Sequence, residues 1–333
     1  MPIIERLINC ERCEDEINLN TQHYYYDPNG NALCDSCFND HYFTCEDCSG
    51  TFDNEDYSED GMCCGCFDRC NESGNVINDC SYMPALQFHK EVYENTLYQG
   101  IELEIEVPDD DSIHDHARAF TAWLKQHGLE KFIYLKTDGS LDNGYEIVSH
   151  PFTSRARHKK LAWYKILNYL KRTGVSAMRN STCGLHIHVS KDALTASDLM
   201  KLKLFFFRCS GRIQKVAGRG PNQYCEYQMY SLADYKAKNL KSTDVSRYLA
   251  VNVNNPKNQA GNRKNTVEFR VFKATLTWKR FIGCLQFTEA VCEFVKVHGA
   301  AAIDREGWTL FKAYIRKMGR WGHLEKHLKK VGA

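Results

Sequence analysis

From residue 97 to 107 the chain reads LYQGIELEIEV. Along an extended backbone this places Ile101, Leu103, Ile105 and Val107 on one side and Glu102, Glu104 and Glu106 on the other. The same two-residue period returns in GLHIHVS (184–190), where Leu185, Ile187 and Val189 oppose His186 and His188, and again in RYLAVNVN (247–254) and TVEFRVF (266–272). KFIYLK (131–136) and YEIVS (145–149) read as further strands around Asp138-Gly139 and Asn143-Gly144 turns. Helical periods fill the gaps. One helix starts from a cap at Asp111 or Ser112 and ends near Gly128, and a second runs over about 154–173 and stops at Gly174. A third opens on the Thr195/Asp198 capping box and continues through SDLMKLKLFFFRCSGRIQKV, and the remainder from Thr277 is helical. This order predicts an α+β fold: a mostly antiparallel sheet with one face covered by helices and the other polar.

The polar face carries the chemistry. It gathers Glu102, Glu104, Glu106, Glu146, His186, His188, Asn252, Glu268 and Arg270. A solvated face accounts for any one of these, because strands exposed on one side alternate in this way. Three glutamates spaced about 7 Å apart along one strand nevertheless repel unless a cation lies among them. With His-x-His and Glu-x-Arg on other strands, the set predicts a polar cavity that binds a divalent metal.

Residues 1–80 have a different texture. Four CxxC pairs, Cys10/Cys13, Cys34/Cys37, Cys45/Cys48 and Cys63/Cys66, stand in order, and the first two repeat in the last two: INCERC matches FTCEDC, and DPNGNALCDSCF matches SEDGMCCGCF. Each CxxC makes a knuckle aiming two sulfurs at one point, so two knuckles complete a tetrahedral thiolate site. Two structural zinc ions in a tandem, zinc-ribbon or LIM-like module are therefore expected, with Cys64, Cys70 and Cys80 left over and Cys64 available as a substitute ligand in the fourth pair. The five later cysteines are scattered singly, as small buried hydrophobes usually are.

Charge separates the two parts further. Residues 1–84 hold 18 Asp and Glu against 3 Lys and Arg, while the chain as a whole has a net charge of +1. The acidic module would repel phosphate, and four thiolates around Zn²⁺ add negative charge, so nucleic-acid binding is disfavoured. Packing of the module on the basic remainder, or docking of a protein or peptide, fits the charge better; a purely structural staple fits as well. No apolar run is long enough to span a bilayer, and the start lacks a signal-peptide pattern, so a cytoplasmic protein with reduced thiols is expected. The predicted organisation is a module over 1–80, a linker over 81–95 and a larger domain over 96–333.

GIELEIEV (100–107), KTDGSLDNGYEIVSHP (136–151), CGLHIHVS (183–190), RYLAVNVN (247–254) and TVEFRVF (266–272) resemble, in this order, the motifs of the amidoligase family of carboxylate–amine ligases. The resemblance implies a glutamine-synthetase-like sheet and ATP-dependent joining of a carboxylate to an amine through an acyl-phosphate, with Mg²⁺ or Mn²⁺ as cofactor. It makes Glu102, Glu104, Glu146, His186 and Glu268 magnesium ligands, Arg270 the residue holding the transferring phosphoryl group, and His188 a residue that orients substrate. Glu104 and Glu268 then count as catalytic as well. Arg270, Asn252, Arg219 and Lys136 become the ATP-binding residues, while Asp138 and Ser140 bound the substrate pocket. Arg212 and Lys215, on the helix before the GRGPNQY loop, join Arg219 as residues able to meet phosphates. No P-loop, GxGxxG or Ser-centred elbow appears. Two other readings keep the same residues: a metal-dependent hydrolase with His186, His188 and a glutamate on zinc, and a zinc-binding adaptor whose second domain is catalytically silent.

Overall fold

The computed structural model describes residues 7–27, 29–45, 49–56, 63, 76–90, 97–108, 112–177, 183–227, 229–237, 248–253 and 265–333. Cys48, Cys64, Cys66 and Cys70, the cap candidate Asp111, and the ends of the 247–254 strand lie outside them. The chain divides into two units between Asn75 and Val76.

In the first unit, β1 (Leu7–Asn9) and β2 (Glu16–Asn18) form an antiparallel hairpin, as do β3 (Tyr24–Tyr26) and β4 (Ala32–Cys34), which leads into α1 (Asp35–His41). A third hairpin joins β5 (Tyr42–Thr44) to β6 (Thr51–Asp53). Ile17, Leu33, Phe38 and Cys10 make a core of a few side chains, and Tyr25 stacks on Phe38 at 3.9 Å. So small a core leaves a fold of this kind dependent on a further staple.

The second unit is built on a seven-stranded sheet among the described residues, in the order β12-β13-β11-β8-β10-β9-β7. The strands are β7 (Ile77–Asn78), β8 (Gln99–Glu106), β9 (Ile133–Lys136), β10 (Gly144–Ser149), β11 (Gly184–Ser190), β12 (Val251–Asn252) and β13 (Thr266–Lys273). All pairings are antiparallel except that of β7 with β9. The mixed α/β architecture with a mostly antiparallel sheet is the one the alternation predicts. Gly144 is obligatory where β10 begins, since a Cβ there would lie 2.0 Å from the Ile105 carbonyl oxygen.

The helices are α2 (Ile113–Gln126), α3 (Ser154–Lys159), α4 (Trp163–Arg172), α5 (Ala196–Arg208), α6 (Ser210–Ala217), α7 (Leu232–Lys236), α8 (Trp278–Val297), α9 (Ala300–Met318) and α10 (Gly322–Val331). Ser112 caps α2, accepting from the Asp115 N–H, and the Thr195/Asp198 capping box is formed. The apolar face of the sheet joins the helices in one core: Phe206 of α5 meets Phe269, Phe287 of α8 meets Phe272, and Trp163 meets Phe281. Among the described residues no helix is long and apolar enough to cross a membrane.

Ile77 and Asn78, in the second unit, pair with Leu135 and Lys136 at the sheet edge, and within the span expected as linker the His89 N–H donates to the Pro151 carbonyl at 2.8 Å. Two expectations change. The helix expected over 154–173 breaks between Lys159 and Trp163. In a continuous helix Leu161 and Trp163 would point about 200° apart, yet both are buried, at 1% and 0% exposure; the break lets both enter the core. The helix from Thr195 likewise ends at Cys209 (φ −105°, ψ 12°), where α6 begins.

Candidate active site and candidate metal centres

Strand register decides which polar residues meet. In β8/β10 Glu104 lies opposite Glu146, and in β10/β9 Glu146 lies opposite Lys136. His186 of β11 lies opposite Glu102 of β8, while His188 lies opposite Glu268 of β13, which lies opposite Asn252 of β12. A register shift between Leu185 and Ile187 separates the upper and lower parts of the β11/β13 pairing. Glu102, Glu104, Glu146, His186, His188, Asn252, Glu268 and Lys136 are all buried.

His186 is the hinge of the cluster. Its Nδ1 lies 3.6 Å from Glu102 Oε2, and its Nε2 lies 3.4 Å from Glu104 Oε1. His188 Nε2 lies 3.2 Å from Glu102 Oε1, and His188 Nδ1 meets Thr266 Oγ1 at 3.0 Å. Glu268 accepts from Arg270 Nη1 at 2.5 Å and from Asn252 Nδ2 at 3.3 Å. The Gly184 N–H donates to Glu104. A Cβ at Gly184 would lie 2.7 Å from His186 Nε2, so only glycine lets the ring sit so close to β11's first residue.

Two sets of ligand atoms result, Glu102/His186/Glu268 and Glu104/Glu146/His186, each with all members within 4.8 Å of one another. His186 Nδ1 and His188 Nε2 are buried without a hydrogen-bond partner. Buried polar atoms are nearly always satisfied, so two imidazole nitrogens left bare among carboxylates fit a cation. Oxygen-rich triads with one nitrogen suit a hard divalent ion such as Mg²⁺ or Mn²⁺.

The electrostatics agree with that fit. Burial pushes the Glu146 carboxyl well above the usual glutamate range, and Glu102, Asp138 and Glu104 push it further, with Lys136 opposing. Burial also works against ionisation of Glu268, but His188 and Arg270 outweigh it and hold that carboxyl below its usual range. Asp138 is lowered in the same way: Ser140, whose N–H donates to Oδ1 at 2.7 Å, overcomes burial. Each of these groups ionises according to the charges around it.

Cations lie at one edge. Arg270 donates through Nε to the Tyr224 carbonyl at 3.3 Å and lies over the Tyr248 ring at 5.7 Å. Arg219 donates through Nε to the Val271 carbonyl at 3.3 Å and through Nη2 to the Arg270 carbonyl. Of the basic residues around α6, only Arg219 reaches this face. Arg212 instead donates to the Gly332 carbonyl at 3.3 Å, and Lys215 is exposed. Thr266, Gly184, Tyr224 and Tyr248 are absent from the sequence-based set. Thr266 and Gly184 each stand two residues before a selected residue, Glu268 and His186, and same-face spacing would have found them.

In the first unit Cys10, Cys13, Cys34 and Cys37 place four sulfurs within 4.8 Å of one another, a group able to hold a metal such as zinc. Burial raises the Cys10 thiol, but the backbone N–H groups of Cys13, Cys34 and Arg12 outweigh it and bring it down to about 6. The knuckle recurs 35 positions later. The Cys10 N–H donates to the Asp15 carbonyl and the Cys45 N–H to that of Gly50, both at 2.8 Å, and Glu14 and Ser49 share a positive φ of 63° and 55°. The Cys34 N–H meets Cys10 Sγ at 3.4 Å, and the Cys63 N–H meets Cys45 Sγ at 3.3 Å. The sequence duplication is thus a duplication of backbone geometry, although Cys48 and Cys66 lie outside the described residues.

Residues 126–292, half of the chain, match the family described as "putative amidoligase enzyme", and the chain belongs to that family. The match takes in β9 to β13 and most of α8. Strand β8, with Glu102 and Glu104, precedes it and joins the site through pairing with β10 and β11. No curated protein matches the chain.

Proposed function

We propose that the larger unit is an ATP-dependent carboxylate–amine ligase that forms an amide bond through an acyl-phosphate. The carrying observation is the pair of carboxylate–imidazole triads sharing His186 on a buried polar face. Glu102, Glu104, Glu146, Glu268 and His186 are the residues that would hold Mg²⁺ or Mn²⁺. Such an ion supplies charge neutralisation and alignment of phosphate oxygens. The chain's own residues do the rest. Asn252 and Arg270 fix the Glu268 carboxylate, and Thr266 orients His188 toward Glu102 and the substrate. Lys136 offsets the charge of Glu146, Asp138 and Ser140 bound the pocket, and Arg219 and Arg270 supply positive charge where phosphate oxygens would lie. Burial of the whole face strengthens each of these interactions and keeps water from an activated acyl group. In this reading the tandem cysteine module holds two structural zinc ions and recruits a protein or peptide substrate in the cytoplasm.

The test is turnover. The full chain with MgATP and a panel of carboxylic acids and amines should release ADP and phosphate only when acid and amine are both present. Glu268→Ala should abolish release with the fold intact. ATP turnover absent with every acceptor, or more than two tightly bound zinc ions per chain, would refute the ligase and favour a hydrolytic centre.

A further inference from the structure

The two arginines at the edge of the site are not equivalent. Arg270 is engaged on three sides: Nη1 by Glu268, Nε by the Tyr224 carbonyl, and its face by the Tyr248 ring. Its charge is matched by a carboxylate two residues away on the same strand face, which is itself a member of a metal-ligand triad. Arg219 is held differently. Nε and Nη2 are clamped by two successive backbone carbonyls, those of Val271 and Arg270, which fix the guanidinium plane without neutralising it. Nη1 is buried and has no hydrogen-bond partner. Among the described residues no salt bridge to Arg219 is formed; burial lowers its pKa, and the Cys225 thiol, which its side chain meets, then Glu104 and Tyr227, act against that. The group also reaches the metal-ligand cluster, since a Cβ at Gly184 would lie 3.3 Å from Arg219 Nη2 and 2.7 Å from His186 Nε2.

A half-buried guanidinium whose buried donor goes unused is costly unless something anionic completes it. A guanidinium clamped in its plane presents that donor in a fixed direction, and arginine is the side chain suited to oxyanions. We infer that Arg219 is the oxyanion-binding residue of this site, holding a phosphate or carboxylate oxygen through Nη1 beside the Glu104/Glu146/His186 triad, and that Arg270 is a positioning residue for Glu268. This rests on the ligase reading and deepens it, because it gives the direct anion contact to Arg219 alone where that reading shares it between Arg219 and Arg270.

The experiment separates anion binding from metal binding in the full chain. Mn²⁺ affinity is read by electron paramagnetic resonance. Inorganic phosphate and acetate are then titrated by calorimetry at saturating Mn²⁺. Arg219→Met should weaken phosphate or acetate binding by about tenfold or more and leave Mn²⁺ affinity unchanged, with Arg219→Lys intermediate and serving if the methionine variant does not fold. Loss confined to phosphate assigns Nη1 to the group leaving ATP, and loss confined to acetate assigns it to the carboxylate substrate. Arg270→Met should do the reverse, lowering Mn²⁺ affinity while anion binding at saturating Mn²⁺ persists, with Arg270→Lys partly restoring the metal. Anion binding unchanged in both Arg219 variants, absent from the wild type, or lost only in Arg270→Met would overturn the assignment. The ligase reading is judged separately, by ATP turnover.

Discussion

Gly184→Ala tests the geometry of the site at its tightest point. The added Cβ would lie 2.7 Å from His186 Nε2, 3.2 Å from its Cδ2 and 3.3 Å from Arg219 Nη2. Ordinary contact starts at 3.4 Å, so the imidazole must retreat by roughly 0.7 Å. It has little room, being 2% exposed and placed between Glu102 and Glu104. Overpacking of this kind costs about 1–3 kcal/mol, and replacing a strand glycine by alanine returns about 0.5–1 kcal/mol. The net loss of stability is then about 1 kcal/mol, too small to unfold the unit. Metal binding should suffer far more, because displacing a ligand's orientation typically costs about 10–100-fold in affinity. Urea melts would give the stability and Mn²⁺ titration the affinity. Gly139→Ala, where an added Cβ meets nothing within 4 Å, is the control. Wild-type Mn²⁺ affinity in Gly184→Ala, alongside a measured loss of stability, would show that His186 does not ligate the ion.

Other perturbations probe the remaining parts. Glu146 is pushed well above its usual range by burial and then by its acidic neighbours, so the stability tied to its proton is complete below the ordinary glutamate range and lost as pH rises through the raised value. The metal-free protein should therefore weaken with rising pH, and Glu146→Gln should flatten that slope in urea melts, stabilise the metal-free form by about 0.5–2 kcal/mol and abolish Mn²⁺ binding. Arg157, 1% exposed, donates to Gln99 Oε1 at 2.8 Å and lies 3.9 Å from Glu289, so Arg157→Met should destabilise the larger unit by about 3–5 kcal/mol in the same assay. For the metal-free module, the stability carried by the Cys10 thiolate is present above the ordinary thiol range and lost as pH falls through about 6; thiolate ultraviolet absorption should show a titration there, reduced in Cys10→Ser.

What could be read from the chain was whatever repeats locally. Alternation put Glu102, Glu104, His186, His188, Glu268 and Arg270 on one side of their strands because the side-chain period of a strand is two and needs no knowledge of neighbours. The duplication of the cysteine knuckles was legible for the same reason, as was the capping box at Thr195 and Asp198. Strand order and register are not local. That His186 falls opposite Glu102 and His188 opposite Glu268 depends on the pairings of β11 with β8 and β13, including a shift in register that no residue between 184 and 190 announces. Arg219 was legible as a basic residue able to meet phosphates, but what separates it from Arg212 was not: the carbonyls that clamp Arg219 are more than fifty residues away, whereas Arg212, equally basic, turns to the last helix. Residues 76–80 read as the end of the cysteine module because two-residue edge pairing leaves almost no pattern in composition.

The shared histidine constrains how the two triads can work together. A neutral imidazole has one bare nitrogen and one N–H, and a metal-bound histidine normally donates that N–H to a carboxylate. His186 has a glutamate on each edge, Glu102 at Nδ1 and Glu104 at Nε2, so either nitrogen can be the ligand while the other donates to the opposite glutamate. It cannot ligate in both triads without losing its proton. In the proposed ligase one triad would therefore bind through imidazole, and the other would rely on carboxylates and on oxygens brought by substrate. An ion held only by carboxylates stays exchangeable and open to phosphate, whereas one anchored by imidazole stays in place. In the proposed ligase, the ring nitrogen of His186 that carries the hydrogen would decide which triad keeps its ion and which receives one with the nucleotide.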